Sequence, residues 1–143
     1  MIYNESDILL YTLQDGVATI TLNRPKAYNA LSAALTKAII DTLKKVSVDD
    51  AVKVIVLTGN GKAFTAGVDL KELATTSNRF AETDDLNEVI KNLNKPLIGA
   101  INGYAMTGGL ELALCCDILY ASENAIFADT PVSYTHLTLP TKA

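Results

Sequence analysis

Two adjacent glycines and an acid give this sequence its clearest potential for chemistry. Gly108 and Gly109 stand where an apolar helix would begin in "NGYAMTGGLELAL", and Glu111 follows two residues later. Glycine within a helix costs roughly 0.5–1 kcal/mol relative to alanine. A carboxylate among leucines also risks burying a charge. A functional site would explain why both occur at one place.

A helix that begins at glycine is suited to hold an anion, or an oxygen that becomes anionic during a reaction. Its first N–H groups have no partner within the helix, and the helix dipole makes that end positive. An upstream stretch, "FTAGVDLKEL", has the same strand–loop–helix character. Two such loops, each offering one backbone N–H, could grip one carbonyl oxygen from two sides. Glu111, one turn into the second helix, would then be placed to move a proton.

Composition and charge restrict the class of protein. The 143 residues suit one domain with a core, and 49% are apolar and 20% charged, as in a globular chain. Sixteen acids against twelve bases give a net charge of −4, which argues against a nucleic-acid-binding surface. No apolar run reaches membrane-spanning length, and "MIYNESDILL" lacks the features of a secretory signal. We therefore expect a cytoplasmic protein.

The two cysteines, Cys115 and Cys116, are adjacent in an apolar run. A disulfide between neighbours would be strained, and the sequence contains no other cysteine to pair with either. We expect buried free thiols in a reducing compartment. No metal site is expected, because no histidine or third cysteine lies nearby.

The first third of the chain predicts a hairpin and a helix. "ILLYTL" and "VATITL" alternate across "QDG", which indicates a β-hairpin turning at Asp15 and Gly16. Ser32 can cap a helix whose apolar positions recur at helical spacing. Those positions are Leu35, Ile39, Leu43 and Val46.

The rest of the chain alternates strands and helices from residue 52 onward, which favours an α/β layered fold. "VKVIVLTG" and "KPLIGAING" are typical of buried strands, and "DILYAS" of a third. "GNGKAFTAGVDLKEL" predicts a loop leading into a short helix. "TTSNRFAETDD" is polar and without period, so we expect it to be the least ordered region, followed by a helix over 86–93. The glycine pair should open a helix that ends at about Cys116.

The end of the sequence departs from this pattern. After "FADT", the residues "PVSYTHLTLPTKA" crowd hydroxyl side chains with two prolines. We expect a domain over 1–130 and a non-native tail over 131–143; a variable native C-terminus is the alternative. His136, the only histidine, lies in this tail, so a Ser-His-Asp mechanism has no suitable base.

Three segments together resemble one family. "NRPKAYNALS", "GKAFTAGVDLKEL" and "NGYAMTGGLELALCCDILYAS", in this order, are similar to the enoyl-CoA hydratase/isomerase (crotonase) family. The resemblance implies a crotonase (ClpP-like) spiral of ββα units, here truncated, since family members are roughly twice this length. It also implies an acyl-CoA substrate, with coenzyme A as part of that substrate and no further cofactor. Family members are usually homotrimers or hexamers, with no nucleic-acid or membrane partner.

The resemblance also implies roles for particular residues. The oxyanion hole would use the backbone N–H groups of Val68 and Gly108, and Glu111 would be the first catalytic glutamate, polarising water for addition at the β-carbon. The coenzyme A contacts would be Lys26, Ala27, Ala66, Val68, Asp69, Leu70, Lys71 and Gly108.

Two positions depart from the family pattern. Hydratases usually have glycine where this chain has Thr107, and their second catalytic glutamate lies twenty positions after the first, at the place of Pro131 here. Hydration of a 2-enoyl-CoA is the leading prediction. Double-bond isomerisation, or other enolate chemistry through Glu111 alone, is the alternative within the family. The truncated chain itself is expected to be inactive, at most an acyl-CoA-binding fragment.

Each of these residues also has a simpler interpretation. An acid in the first turn of any helix complements the helix dipole, so Glu111 needs no catalytic role to be favourable there. The glycine pair would permit close packing of helix on strand. Asp69 is suited to cap the helix that follows it, a role compatible with ligand contact. Lys26, taken alone, is an ordinary solvated lysine.

Overall fold

The computed structural model describes residues 7–73 and 79–129. The helices within these ranges are α1 (Ala33–Ser47), α2 (Leu70–Leu73), α3 (Arg79–Lys91) and α4 (Gly108–Leu114), with a 3₁₀ turn at Pro25–Ala27. The strands are β1 (Leu9–Gln14), β2 (Val17–Leu22), β3 (Val54–Gly59), β4 (Ala63–Thr65), β5 (Leu97–Ile101), β6 (Tyr104–Met106), β7 (Ile118–Ala121) and β8 (Ile126–Ala128).

The larger sheet has the order β1-β2-β3-β5-β7. β1 and β2 form the predicted antiparallel hairpin, and Asp15 and Gly16 both have positive φ (53° and 81°), as a two-residue hairpin turn requires. The other neighbouring strands pair in parallel. This confirms the hairpin, the buried parallel strand β3 and the α/β class.

Helix α1 packs against β1, β2 and α3, and so closes the main core. The Ser32 hydroxyl accepts a hydrogen bond from the Leu35 N–H at 3.1 Å, which confirms the predicted cap. The four apolar positions predicted to face the core, Leu35, Ile39, Leu43 and Val46, are all buried. The helical spacing of these side chains therefore identified both the element and its buried face.

A second, three-stranded parallel sheet with the order β4-β6-β8 was not predicted. Each of its strands is three residues long. Such a segment is too short to show a period of two, and β4 lies within a stretch predicted to be a loop. This small sheet packs against α4.

Two helix boundaries also differ from prediction. α3 begins at Arg79, inside the segment expected to be least ordered. The prediction began the helix at Leu86, whereas the backbone is helical a further two turns upstream, through a segment that is polar except for Phe80 and Ala81. α4 ends at Leu114, slightly before the expected Cys116.

The expectation that both cysteines are buried was wrong for Cys115. Its side chain is exposed and that of Cys116 is partly exposed, and both are free thiols. The physical reason is the early end of α4: Cys115 is its C-cap and turns outward, where all four residues of β7 are exposed too. Burial nevertheless raises the pKa of Cys116 to about 12, helped by Cys115 and Asp117.

Among residues 7–73 and 79–129, no helix has the length and apolar character needed to cross a membrane. In the same ranges, no cluster of three or more histidine, cysteine or acidic side chains could hold a metal ion. The predicted non-native tail, with Pro131 and His136, lies outside the described residues.

Candidate active site

The small parallel sheet brings the two glycine loops together. β4 pairs with β6 in parallel, so the segments that leave their carboxyl ends, 66–69 and 107–108, lie side by side. The contact is close: a Cβ on Gly67 would lie 2.5 Å from the Thr107 Oγ1 and 2.9 Å from the Gly108 nitrogen. Gly67 also has φ of +93°, so only glycine suits this position.

The peptide between Gly67 and Val68 is oriented by Leu31. The Leu31 N–H donates to the Gly67 carbonyl oxygen at 2.7 Å, and the Asp69 N–H donates to the Leu31 carbonyl oxygen at 3.3 Å. In a trans peptide the C=O and N–H point in opposite directions. The Val68 N–H therefore points away from Leu31.

The Val68 nitrogen lies beside the start of α4. A Cβ built on Gly108 would be 3.5 Å from it. Since the Gly108 nitrogen is two bonds, about 2.5 Å, from that Cβ, the two nitrogens are within about 6 Å of each other. Across residues 7–73 and 79–129, neither N–H donates a hydrogen bond to another residue. We call the space between them the notch; its size allows one oxygen to accept from both.

The two glycines of the pair have different surroundings. A Cβ on Gly109 would lie 2.0 Å from the Thr65 carbonyl oxygen, so close packing of α4 on β4 requires glycine there. A Cβ on Gly108 would meet nothing nearer than 3.5 Å. The packing interpretation is therefore confirmed for Gly109, whereas at Gly108 the missing side chain leaves the notch open.

Glu111 lies in the first turn of α4 with its side chain exposed. Its N–H donates to the Thr107 carbonyl oxygen at 3.1 Å. Burial raises the pKa of the Cys115 thiol, and the negative charge of Glu111 raises it further. The carboxylate is thus not buried among leucines, and the energetic cost suggested by the sequence does not arise in this chain.

Several contacts join the first and second motifs, and three of them lie next to the predicted ligand-contacting residues. The Ala66 N–H donates to the Tyr28 carbonyl oxygen at 2.9 Å, Leu31 and Val68 form a parallel β-bridge, and Arg24 pairs with Asp69 at 3.3 Å. Apart from Gly108 at the start of α4, the residues predicted to contact coenzyme A therefore fall on two adjoining segments. Lys26 and Ala27 lie on the 3₁₀ turn of the first, and Ala66, Val68, Asp69, Leu70 and Lys71 lie on the second.

Asp69 has a structural role. One of its carboxylate oxygens accepts from the Lys71 and Glu72 N–H groups at 3.0 and 3.4 Å, which confirms that it caps α2. Desolvation raises the pKa of Asp69, but the N–H groups of Glu72 and Lys71 and the Arg24 guanidinium outweigh it, so the pKa lies below its usual value. Arg24 also donates to the Ala30 carbonyl oxygen at 2.6 Å.

Sequence reasoning missed two asparagines that hold the loop before β4. Asn29 is fully buried with φ of 54°; its Nδ2 donates to the Ala63 carbonyl oxygen at 2.9 Å and its Oδ1 accepts from the Arg24 N–H at 2.7 Å. Asn102 donates to the same Ala63 oxygen at 3.0 Å and accepts from the Gly59 N–H at 3.0 Å. The available signals were local: Asn102 precedes Gly103, and Asn29 lies in the loop that follows Pro25. Asparagine tolerates positive φ in such loops and can replace backbone partners.

Two open grooves of the described surface lie away from the notch. One of about 540 Å³ runs between β1 and α1, and one of about 680 Å³ between α1 and α3. Neither includes a residue predicted for the site. The notch is thus identified by the backbone groups that border it and not by cavity volume.

Comparisons with known proteins place the chain in one family. The sequence profile described as enoyl-CoA hydratase/isomerase matches residues 12–135. A probable peroxisomal enoyl-CoA hydratase 1 of Arabidopsis thaliana is 43% identical over 117 residues, covering 80% of this chain and 44% of the relative.

Solved structures show the same fold. The enoyl-CoA hydratase of Mycobacterium smegmatis superposes with a TM-score of 0.81 at 38% identity, covering 86% of this chain and 51% of that one. A monofunctional enoyl-CoA isomerase from the same organism gives 0.75 at 32% identity, covering 87% and 54%. The chain has the crotonase fold and spans about half the length of these relatives. It belongs to the enoyl-CoA hydratase/isomerase family.

Proposed function

We propose that the chain binds an acyl-CoA thioester and that the thioester carbonyl oxygen enters the notch, accepting hydrogen bonds from the Val68 and Gly108 N–H groups. The observation that carries this is the space beside Gly108. A Cβ there would reach ordinary contact distance from the Val68 nitrogen, and both N–H groups lack partners among the described residues. Family membership supplies the substrate class.

For the whole protein, the proposed reaction is addition of water to a 2-enoyl-CoA. The water oxygen bonds to the β-carbon, the electrons of the double bond move toward the thioester oxygen, and a proton is delivered to the α-carbon. Glu111 takes the proton from water as general base and then, as general acid, delivers that proton to the α-carbon. The two backbone donors stabilise the developing enolate, and each oxyanion donor contributes about 2.7–4 kcal/mol in comparable sites.

A second reaction is supported by a structural relative. Position 131, where the resemblance implies the second glutamate of hydratases, is the first residue of the expected non-native tail and so does not distinguish the two reactions. One of the superposing structures is a monofunctional enoyl-CoA isomerase. Double-bond isomerisation would use the same notch and Glu111 alone, moving a proton between two carbons of the acyl chain.

The proposal extends to the coenzyme A portion of the ligand and to the assembly of the protein. The coenzyme A portion would lie along the 3₁₀ turn and the segment 66–71, near Lys26, Ala27, Ala66, Asp69, Leu70 and Lys71. The 143-residue chain itself would bind acyl-CoA without turnover. We also propose a trimeric or hexameric assembly and a cytoplasmic location. The Arabidopsis relative, by contrast, is named as a peroxisomal protein.

One experiment separates binding from turnover. The chain is titrated with a 3-oxoacyl-CoA, whose enolate absorbs in the ultraviolet, and with free coenzyme A. We expect both to bind and only the thioester to give the enolate signal. Crotonyl-CoA is then supplied to the 143-residue chain and to a chain extended by the second half of a family member. Hydration by the extended chain alone supports the proposal; a thioester that binds without any enolate signal contradicts it.

A further inference from the structure

Thr107 has a backbone conformation that threonine rarely adopts. Its φ is 49° and its ψ is −110°, close to the first central position of a type II′ turn, which is dominated by glycine, asparagine and aspartate. For a β-branched residue a positive φ is an outlier, because the side chain crowds the backbone. Residues held in such conformations persist only where their surroundings fix them, and they concentrate at functional sites.

The threonine side chain does not perform its usual role at this position. Thr107 is the N-cap of α4, yet its hydroxyl makes no capping hydrogen bond. The hydroxyl instead donates across to the Ala66 carbonyl oxygen at 3.4 Å, in the loop that carries Val68. It also lies against Gly67, where even a Cβ would be 2.5 Å from it.

Two backbone bonds complete the fixation of Thr107. Its N–H donates to the Ala128 carbonyl oxygen of β8 at 2.8 Å, and its carbonyl oxygen accepts from the Glu111 N–H at 3.1 Å. The hydroxyl, the N–H and the carbonyl oxygen of Thr107 are therefore all hydrogen-bonded, to the loop at Ala66, to β8 and to α4. The peptide that follows Thr107 supplies the Gly108 N–H, so these contacts also determine where that N–H lies.

We propose that Thr107 is a positioning residue that sets the width of the notch by joining the helix start to the Ala66–Gly67 peptide. This inference rests on the proposed function, since it concerns how the two N–H groups are held for the thioester oxygen. Glycine at this position would adopt the backbone without strain but would leave the two loops joined only through the sheet. The hydroxyl would therefore fix the spacing between the Val68 and Gly108 donors.

Three variants of the 143-residue chain test the proposal. Thr107→Ser keeps the hydroxyl, Thr107→Val keeps the branched shape without it, and Thr107→Gly removes the hydroxyl together with the strain. The readout is the apparent pKa at which a bound 3-oxoacyl-CoA ionises to its enolate, followed by ultraviolet absorption. Affinity for free coenzyme A and the melting temperature are measured in parallel.

We expect the serine variant to match the wild type. The valine variant should ionise the bound thioester about tenfold less readily, because misplaced donors stabilise charge poorly, while binding free coenzyme A unchanged. Should the valine variant fail to fold, the glycine variant gives the same comparison. Although hydratases usually have glycine here, in this chain glycine removes the hydrogen bond from the Thr107 hydroxyl to the Ala66 oxygen, so we expect a loss of ionisation together with a raised melting temperature.

Wild-type ionisation in either the valine or the glycine variant would overturn the role of Thr107 and leave the notch intact. A wild-type chain that binds the thioester without ionising it would overturn the proposed function, and the positioning role with it. A purely structural role for Thr107 would shift the melting temperature and coenzyme A affinity but not the ligand pKa, which also contradicts the proposal.

Discussion

A Cβ on Gly108 would lie 3.5 Å from the Val68 nitrogen, whereas a Cβ on the adjacent Gly109 would lie 2.0 Å from the Thr65 carbonyl oxygen. The first distance is ordinary van der Waals contact and the second is a clash. Glycine thus occurs at these two neighbouring positions for different reasons. Gly109 allows α4 to pack on β4, and Gly108 keeps the space beside Val68 open.

Replacement of Gly108 by alanine should separate binding from folding. The added methyl group fits without a clash, and alanine is favoured over glycine in a helix by up to about 1 kcal/mol. We expect the free energy of unfolding to stay the same or rise slightly. The methyl group would occupy the notch, so affinity for a 3-oxoacyl-CoA should fall at least about tenfold, as measured by titration, since one oxyanion donor is worth about 2.7–4 kcal/mol.

Gly109→Ala is the matched control for this variant. It adds the same methyl group one residue along, against a backbone oxygen that cannot move aside cheaply. Overpacking of this kind costs typically about 1–3 kcal/mol, so the melting temperature should fall. Equal thermal stability of the two variants, or undiminished ligand affinity in Gly108→Ala, would be incompatible with the assigned roles.

The charge of Glu111 can be followed through the neighbouring thiol. Burial raises the pKa of Cys115, and Glu111 raises it further. Removing the carboxylate in Glu111→Gln should lower this pKa, so that more thiolate is present at neutral pH and iodoacetamide alkylates Cys115 faster. The rate is measured in a Cys116→Ala background to isolate one thiol.

Glu123→Gln makes the same chemical change at an exposed acid that does not affect the Cys115 pKa. Its alkylation rate should equal that of the parent. If Glu111→Gln leaves the rate unchanged, the charge of Glu111 does not act on the Cys115 thiol. In a chain extended to the family length, Glu111→Gln should also abolish most crotonyl-CoA hydration while sparing coenzyme A binding; unchanged turnover would refute the catalytic role.

The elements that the sequence predicted are those whose local signals agree with their tertiary environment. Asp15 and Gly16 both favour positive φ, so the hairpin turn is encoded where it occurs. In α1, the cap at Ser32 and the apolar spacing that begins at Leu35 point to the same helix. Family motifs added the two glycine loops, which the structure places side by side.

The elements that could not be predicted depend on long-range contacts. β4 is a strand only because β6 lies beside it, forty residues later in the chain, and three residues carry no period of their own. The positive φ of Thr107 opposes its intrinsic preference and is fixed by Ala66, Ala128 and Glu111. Local propensity contains no information about such partners, which is why sequence reasoning noted an unusual residue there but not its conformation.

Asp69 should make stability depend on pH in the acid range. Its folded-state pKa lies below the usual carboxyl value, so its ionised form stabilises the fold above that value, about 3.9. This contribution is lost as the pH falls through the folded-state pKa. In Asp69→Asn the cap of α2 can persist but the pairing with Arg24 cannot, so the variant should lose less stability than the wild type on acidification.

The measurement is the free energy of unfolding by urea at several pH values between about 5 and 2. Asp41→Asn serves as the control: its pKa is also lowered, chiefly by a hydrogen bond from Lys37, but both side chains are more than half exposed. Such surface pairs contribute little. A wild-type curve parallel to that of Asp69→Asn would show that the Arg24–Asp69 pair does not stabilise the fold.

The end of the larger sheet and its neighbours present an apolar surface. The exposed side chains are Leu114 of α4, Ile118, Leu119 and Tyr120 of β7, and Ile126 and Phe127 of β8, with exposed fractions of 39–67%. Exposed apolar side chains on successive elements favour association, and an edge strand adds unpaired backbone groups. We therefore expect the 143-residue chain to self-associate in solution and to melt broadly.

Charge placed on this surface should reverse that behaviour. Ile118→Lys is expected to increase the monomeric fraction measured by light scattering, because a lysine on an edge strand opposes pairing. Val48→Lys is the matched control, since Val48 is 82% exposed as a single apolar residue after α1, and scattered exposed residues need no cover. A wild-type chain that is already monomeric and melts sharply would contradict the expectation, because its apolar surface would then be compatible with an independently stable fold.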